Sequence, residues 1–134
     1  RGLGDVYKRQ EEEFQFEVPS PELKLNVDRT QIEQILINLL KNAREACSRK
    51  SDKKIQVKAR KLSAGNTTLT ISDNGEGILP DVLDKIFVPF FTTKTSGSGI
   101  GLSLCKQIMT LHEGSINVKS EVGKGSSFIL TFPK

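Results

Sequence analysis

The feature that most constrains the fold is one apolar stripe along residues 32–46. Apolar side chains recur there at helical spacing, at Ile32, Ile35, Leu36, Leu39, Leu40, Ala43 and Ala46. Asp28, with Gln31 three residues later, gives a capping-box-like start, and the pattern predicts a helix to about Ser48. Because such a helix must bury its stripe, the rest of the chain has to supply a second apolar surface.

Alternating segments predict that this second surface is a sheet. Apolar and polar residues alternate over 14–18, 23–27, 55–59, 69–73, 116–118 and 128–132, as in half-buried strands. A further helix is predicted over residues 101–111, with Gly114 as its stop. The order of elements predicts an α+β fold: a two-layer α/β sandwich whose mixed, mainly antiparallel sheet carries the helices on one face.

Composition excludes several classes of protein. A chain of 134 residues fits one domain, and its 36% hydrophobic content is too high for global disorder. A formal net charge of +4 is too small to predict a nucleic-acid surface, and no apolar run approaches the roughly 18 residues of a membrane span. Cys47, Cys105 and the single histidine, His112, lack the spacing of a metal site.

Two asparagines border the apolar stripe of the first helix. Asn38 and Asn42 are four residues apart, so they lie one above the other on the helix. The simpler interpretation is a pair of surface amides beside the core. The alternative is that their oxygens face a phosphate-bound Mg²⁺, a cation that prefers oxygen ligands.

A predicted strand ends at Asp73 and runs directly into a segment with two glycines, Gly75 and Gly77, followed by Ile78. Glycines at this spacing allow a close approach to the backbone or a positive φ. An aspartate at the strand end can accept a hydrogen bond from an amino group in an apolar pocket. An ordinary Asp-Asn-Gly turn is the simpler interpretation.

The second predicted helix opens on alternating glycines, Gly97, Gly99 and Gly101, followed by Leu102. Free N–H groups at a helix N-terminus bind anions. The glycine spacing is not that of a dinucleotide-binding turn, and the Gly-Lys-Ser/Thr of a P-loop is missing from the sequence. A flexible linker is the alternative.

Between the glycine segments the chain carries three phenylalanines within five residues, Phe87, Phe90 and Phe91. This density indicates a loop anchored to the body of the domain. Thr93 and Lys94 follow at a position suited to a phosphate tail. A small satellite core is the alternative.

In this order and spacing, the four motifs resemble those of the ATP-binding catalytic domain of bacterial sensor histidine kinases. That domain belongs to a superfamily shared with DNA gyrase, the MutL repair proteins and a heat-shock chaperone. The resemblance implies a Bergerat-type ATP-binding fold over residues 14–134. Residues 1–13, which show no apolar pattern and end in three glutamates, are expected to be a tail that is non-native or disordered. The Phe-Phe-Thr-Thr-Lys segment is similar to the nitrogen-regulator subtype.

The resemblance implies that ATP and Mg²⁺ are bound by residues of all four motifs. Asn42 becomes the leading Mg²⁺ ligand, with Asn38 beside it as a second candidate. Asp73 receives the adenine amino group. The lid is the segment between the two glycine motifs that carries Phe-Phe-Thr-Thr-Lys. The other implied residues shape the wall of the adenine pocket, anchor the lid or contact the triphosphate: Gly75, Gly77, Ile78, Phe87, Phe90, Thr93, Lys94, Gly97, Gly99, Gly101 and Leu102.

The implied activity is transfer of the γ-phosphate of ATP to a histidine on a separate dimerisation domain, with a response-regulator receiver domain downstream. His112, at the end of the second predicted helix, is expected to be structural, so the acceptor lies outside this chain. The chain is then expected to be a monomeric, cytoplasmic piece of a longer kinase. No nucleic-acid contact and no direct membrane contact are expected.

Two positions depart from patterns in related proteins. Asn38 stands where sister ATPases carry a water-activating glutamate, and because an amide is no general base, intrinsic ATP hydrolysis should be poor. Glu45 stands where many family members carry a lysine, which weighs against a lysine–phosphate contact from this helix.

Two other functions remain open at this point. One is a protein serine kinase of the same fold, of the anti-sigma or mitochondrial dehydrogenase kinase type. The other is a nucleotide-dependent binding module without transfer. The Thr-Thr-Lys segment favours the bacterial histidine kinase, while intact Asn42, Asp73 and glycines argue against a degenerate module.

Overall fold

The computed structural model describes residues 14–17, 25–91 and 101–134. Over these ranges the strands are β1 (Phe14–Glu17), β2 (Ile55–Lys61), β3 (Thr67–Asp73), β4 (Ser115–Glu121) and β5 (Gly125–Phe132). The helices are α1 (Arg29–Ala46), α2 (Pro80–Leu83) and α3 (Gly101–Leu111). None of the helices in these ranges is long and apolar enough to cross a membrane.

The strands form one sheet in the order β1-β2-β3-β5-β4. β1 runs parallel to β2, and the other neighbours are antiparallel, so the sheet is mixed and mainly antiparallel, as predicted. Ile71 on β3 pairs with Val57 on β2 and Phe128 on β5. Side chains alternate across a strand, so this register collects the apolar residues on one face.

That apolar face receives α1 and α3, which confirms the two-layer α+β prediction. The stripe of α1 is buried, and Ile35 and Leu39 have 0% exposed surface. The most deeply buried residues come from both layers: Ile35, Leu39, Cys47, Ile55, Ile71, Cys105, Met109, Leu130 and Phe132. Polar residues occupy the other face of the sheet, such as Lys58, Thr70 and Ser127.

His112 connects the end of α3 to the start of α1. Its Nε2 accepts a hydrogen bond from the Asp28 N–H at 3.0 Å, and its Nδ1 lies 2.8 Å from the Ile108 carbonyl oxygen. These partners assign the proton to Nδ1. Asp28 in turn caps α1, because its Oδ1 accepts from the Gln31 N–H at 2.9 Å. The structural role predicted for His112 is confirmed.

The strand predicted over 23–27 is wrong where the structure describes it. Residues 25–28 are irregular, and 18–24 lie outside the described residues. Leu25 and Val27 alternate because both pack against the core, without a neighbouring strand. Val27 and Ile32 flank the N-cap at the positions of a hydrophobic staple, which accounts for an apolar residue there.

A single helical turn that the sequence analysis did not predict, α2, follows the loop after Asp73 and has Pro80 at its first position. Proline suits that position because its fixed φ is helical and no N–H is needed there.

The predicted stop at Gly114 is one residue late. Glu113 takes the left-handed conformation (φ 59°), and the Gly114 N–H bonds back to the Met109 carbonyl at 2.9 Å, as in a Schellman ending. Glycine is needed at 114 for another reason: a Cβ there would lie 2.4 Å from the Thr131 carbonyl oxygen.

We expect Leu39→Ala to lower the free energy of unfolding by about 2–5 kcal/mol, because it leaves a cavity between α1 and the sheet. Ile37→Ala on the same helix is the matched control: its side chain is 60% exposed, so the loss should stay below about 1 kcal/mol. Urea titrations followed by circular dichroism measure both. Equal losses would contradict this description of the core.

Candidate functional site

Asp73 ends β3 with its carboxylate half-buried beside β5. Its Oδ1 accepts a hydrogen bond from the Gly75 N–H at 2.9 Å, and the Ser126 N–H also bonds the carboxylate. Burial raises the pKa of this carboxyl above its usual 3.8, and the two N–H donors oppose the rise. A carboxylate has about four acceptor positions, so lone pairs remain for a further donor.

The loop after Asp73 is held from two sides. The Glu76 N–H donates to the Ala46 carbonyl at the end of α1 (3.2 Å), and the Glu76 carbonyl accepts from the Gly123 N–H (2.9 Å). The Ile78 N–H donates to Ser120 Oγ at 2.8 Å. The loop is therefore fixed between α1 and the β4–β5 turn.

Both glycines of this loop are required by close backbone packing. A Cβ on Gly75 would lie 2.5 Å from the Ala46 carbonyl oxygen. Gly77 has a φ of +77°, and a Cβ there would lie 2.4 Å from the Glu121 carbonyl oxygen. The close approach predicted from the sequence is thus already made to the protein's own backbone.

Asn74 has a structural role. Its Oδ1 accepts from the Lys54 N–H at 2.8 Å, and its Nδ2 donates to the Asp52 carbonyl at 2.8 Å. The buried Cys47 thiol also reaches Oδ1, at 3.5 Å. Burial, followed by the charge of Asp73, raises the pKa of Cys47, so this thiol stays protonated.

The two asparagines lie half-buried on α1, and Asn38 faces α3. Asn38 Nδ2 donates to the Gly101 carbonyl at 3.5 Å and lies 3.9 Å from Cys105 Sγ. Burial raises the pKa of Cys105 to about 11, so that thiol is neutral. The structure therefore places Asn38, from the asparagine pair of α1, against Gly101, the first residue of α3.

The two phenylalanines expected to pin the lid differ. Phe87 is half-buried, packs against the core and has the Lys106 Nζ 5.7 Å from its ring centroid. Phe90 is 74% exposed and has a φ of 67°. Phe87 therefore packs as an anchoring side chain would, whereas the ring of Phe90 is exposed; the role of both in holding a lid stays a prediction, because residues 92–100 lie outside the described residues.

The remaining predicted contacts fall into two groups. Gly101 and Leu102 open α3, and Leu102 also packs against the core. The others lie outside the described residues: Thr93, Lys94, Gly97 and Gly99.

Sequence reasoning missed Ser120 and Ser126. Ser126 lies directly opposite Asp73 across the β3–β5 pair, and opposite Ser120 across the β4–β5 pair. Counting outward from the glycines of the β4–β5 turn, Gly123 and Gly125, would have found the second pairing. The first pairing requires knowing that β3 neighbours β5.

A family model described as histidine kinase-, DNA gyrase B- and HSP90-like ATPase matches residues 27–134. The chain belongs to this family. Sensor histidine kinase ZraS of Salmonella typhimurium is 39% identical over 110 residues, which is 82% of this chain and 23% of ZraS. The chain spans a quarter or less of the curated sensor kinases that it matches.

Solved histidine kinases share the fold. The catalytic domain of ThkA superposes with a TM-score of 0.81 at 34% identity, covering 98% of this chain and 85% of that one. ThkA in complex with the response regulator TrrA superposes with a TM-score of 0.73 at 31% identity, covering 98% of this chain and 39% of that one. Full-length ShkA in complex with AMPPNP superposes with a TM-score of 0.79 at 25% identity, covering 98% of this chain and 29% of that one. The chain is thus a histidine kinase-like ATPase domain.

The raised pKa of Asp73 predicts how Asp73→Asn changes the pH dependence of stability. The folded chain holds this proton more tightly than the unfolded chain. Wild-type stability therefore falls, relative to the variant, as pH rises from the usual 3.8 through the folded-state pKa. Urea titrations of both proteins between about pH 3 and 7 measure the difference. If the free energy of unfolding of the variant instead falls relative to wild type as pH rises, the pKa of the Asp73 carboxyl is lowered and this description of its burial fails.

Proposed function

We propose that this domain binds ATP with Mg²⁺ and donates the γ-phosphate to a histidine on a separate dimerisation domain of the same kinase. The observation that carries the proposal is the half-buried Asp73 carboxylate beside a loop already fixed in place. The family membership and the AMPPNP in the related ShkA structure support it.

The Asp73 carboxylate suits adenine. Adenine carries an exocyclic amine, a donor, where guanine carries a carbonyl, an acceptor. A carboxylate that already accepts the Gly75 and Ser126 N–H groups can accept the amine, and it repels a carbonyl. Because the carboxylate is partly desolvated, that hydrogen bond is stronger than it would be in water.

The triphosphate is assigned to the middle of α1, where Asn38 meets the start of α3. The N-terminus of α3, which begins at Gly101, carries the positive end of the helix dipole. Asn42 is the leading Mg²⁺ ligand. Asn38 uses its Nδ2 on Gly101, which leaves its oxygen for a cation or a bound water. Mg²⁺, when bound, would neutralise phosphate charge.

The site favours transfer to an external acceptor over hydrolysis. Asn38 cannot remove a proton from water, whereas phosphoryl transfer depends mainly on positioning and charge neutralisation. His112 is held by Asp28 and Ile108 and is not placed to accept phosphate. The acceptor domain must therefore complete the reaction centre.

The proposed partners follow from this chemistry. One is the phosphoacceptor domain, and the other is a response-regulator receiver domain downstream, which the ThkA–TrrA complex supports. The nitrogen-regulator subtype remains a prediction. The serine-kinase alternative is not favoured, because the matched relatives are sensor histidine kinases.

Asp73→Asn should weaken ATP binding by about 100-fold or more, because it removes a charged acceptor from the amine. Isothermal calorimetry with ATP and Mg²⁺ measures this loss. Asp52→Asn is the matched control, since that side chain is 81% exposed and pairs loosely with Lys54 at 3.7 Å. Unchanged affinity in Asp73→Asn would overturn the assignment.

Mixing this chain with ATP, Mg²⁺ and a purified dimerisation domain should place acid-labile phosphate on a histidine of that domain. The same mixture without the dimerisation domain should release phosphate only slowly. Acid-stable phosphate on serine would favour the serine kinase, and ATP binding without transfer would favour the binding module. Asp73→Asn should give no labelled product.

A further inference from the structure

We propose that Ser120 is a positioning residue for the adenine end of the site, acting through Ile78; this rests on the proposed ATP binding. Ser120 lies on β4, outside every motif that the sequence brings forward. It does not belong to the loop that follows Asp73. Its half-buried hydroxyl nevertheless holds the far end of that loop.

The Ser120 hydroxyl has three partners within hydrogen-bonding distance. The Ile78 N–H donates to Oγ at 2.8 Å. The Gly125 carbonyl oxygen lies 3.2 Å from Oγ, and Ser126 Oγ lies 2.8 Å away. One side chain therefore joins the loop, the β4–β5 turn and the first residues of β5.

A hydroxyl has one proton and two lone pairs, and this fixes the direction of each bond. One lone pair accepts the Ile78 N–H. The carbonyl of Gly125 can only accept, so the Ser120 proton points to it. The second lone pair then accepts the proton of Ser126, which satisfies all three contacts at once.

These bonds connect the two side chains that hold the loop. Asp73 holds its beginning, by accepting the Gly75 N–H, and Ser120 holds its end at Ile78. Ser126 bonds both, through its N–H to the Asp73 carboxylate and its hydroxyl to Ser120. The adenine-binding carboxylate and the wall of the adenine pocket are thus set by one network.

Removing the Ser120 hydroxyl affects one end of the site. In Ser120→Ala the Ile78 N–H and the Gly125 carbonyl lose their partner, and the half-buried loop must move or open to water. The contacts assigned to the triphosphate lie on α1 and α3 and do not involve Ser120. Adenine binding should therefore weaken while triphosphate binding does not.

Calorimetry with ATP, adenosine and inorganic triphosphate tests this split in the full 134-residue chain. Ser120→Ala should bind ATP and adenosine about 10-fold more weakly and bind inorganic triphosphate unchanged. Ser120→Thr keeps the hydroxyl and should restore ATP affinity to within about 3-fold of wild type. Amide exchange measured by NMR should be faster at Ile78 in Ser120→Ala and close to wild type in Ser120→Thr.

Ser127→Ala is the matched control. Ser127 follows Ser126 on β5 but pairs with Ser72 Oγ at 2.8 Å on the other face of the sheet. Ser127→Ala therefore removes a hydroxyl–hydroxyl hydrogen bond with the same 2.8 Å separation as that of Ser120 and Ser126, and it leaves the Ile78 contact intact. Nucleotide affinity should not change.

The outcomes separate the two proposals. If wild type binds ATP and Ser120→Ala binds it equally well, the role of Ser120 is overturned and the proposed function stands. If Ser120→Ala and Ser127→Ala weaken all three ligands alike, the effect is general stability, and the role of Ser120 is again overturned. If wild type binds neither ATP nor adenosine, the proposed function fails, and the role of Ser120 fails with it.

Discussion

Burial of α1 against the central strand β3 is the constraint on which the candidate site depends. Leu39 and Ile71 meet in the same core, so the end of α1 is carried to the end of β3, where Ala46 bonds the loop after Asp73. Asn38 lies eight residues earlier on α1, about 12 Å along the helix axis. One packed helix therefore sets the separation between the carboxylate that suits adenine and the N-terminus of α3 that suits phosphate.

The proposed adenine end is built mainly from backbone contacts, which explains its dependence on glycine. Glu76 uses both its N–H and its carbonyl on neighbouring backbone, and Gly75 and Gly77 leave no space for a Cβ. A loop fixed in this way loses little conformational entropy when a ligand binds. Side chains hold it at three points: Asp73 and Ser120 hold its ends, and Asn74 bonds the backbone of residues 52 and 54.

Local patterns in the sequence predicted most helices and strands. The features that they missed depend on contacts between segments far apart in the chain. Helical spacing located α1, and alternation located β3 to its last residue, Asp73, because burial imposes those periods directly. The same alternation failed at Leu25 and Val27, where apolar contact with the core occurs without a neighbouring strand. Ser126 escaped notice because its position opposite Asp73 depends on β3 pairing with β5, which no local pattern contains. The motif residues were predicted from local patterns and the family resemblance, whereas Ser120 and Ser126, which support the loop after Asp73, were not.

The residue that replaces a catalytic base also connects the two helices of the site. Asn38 donates through Nδ2 to the Gly101 carbonyl at the start of α3. A glutamate at that position cannot donate when ionised, and its charge would face a carbonyl oxygen. The amide of Asn38 therefore supplies a donor where this packing needs one, and it cannot act as a general base toward water. The contact that joins α1 to α3 and the external phosphate acceptor that we propose therefore both depend on the amide of Asn38.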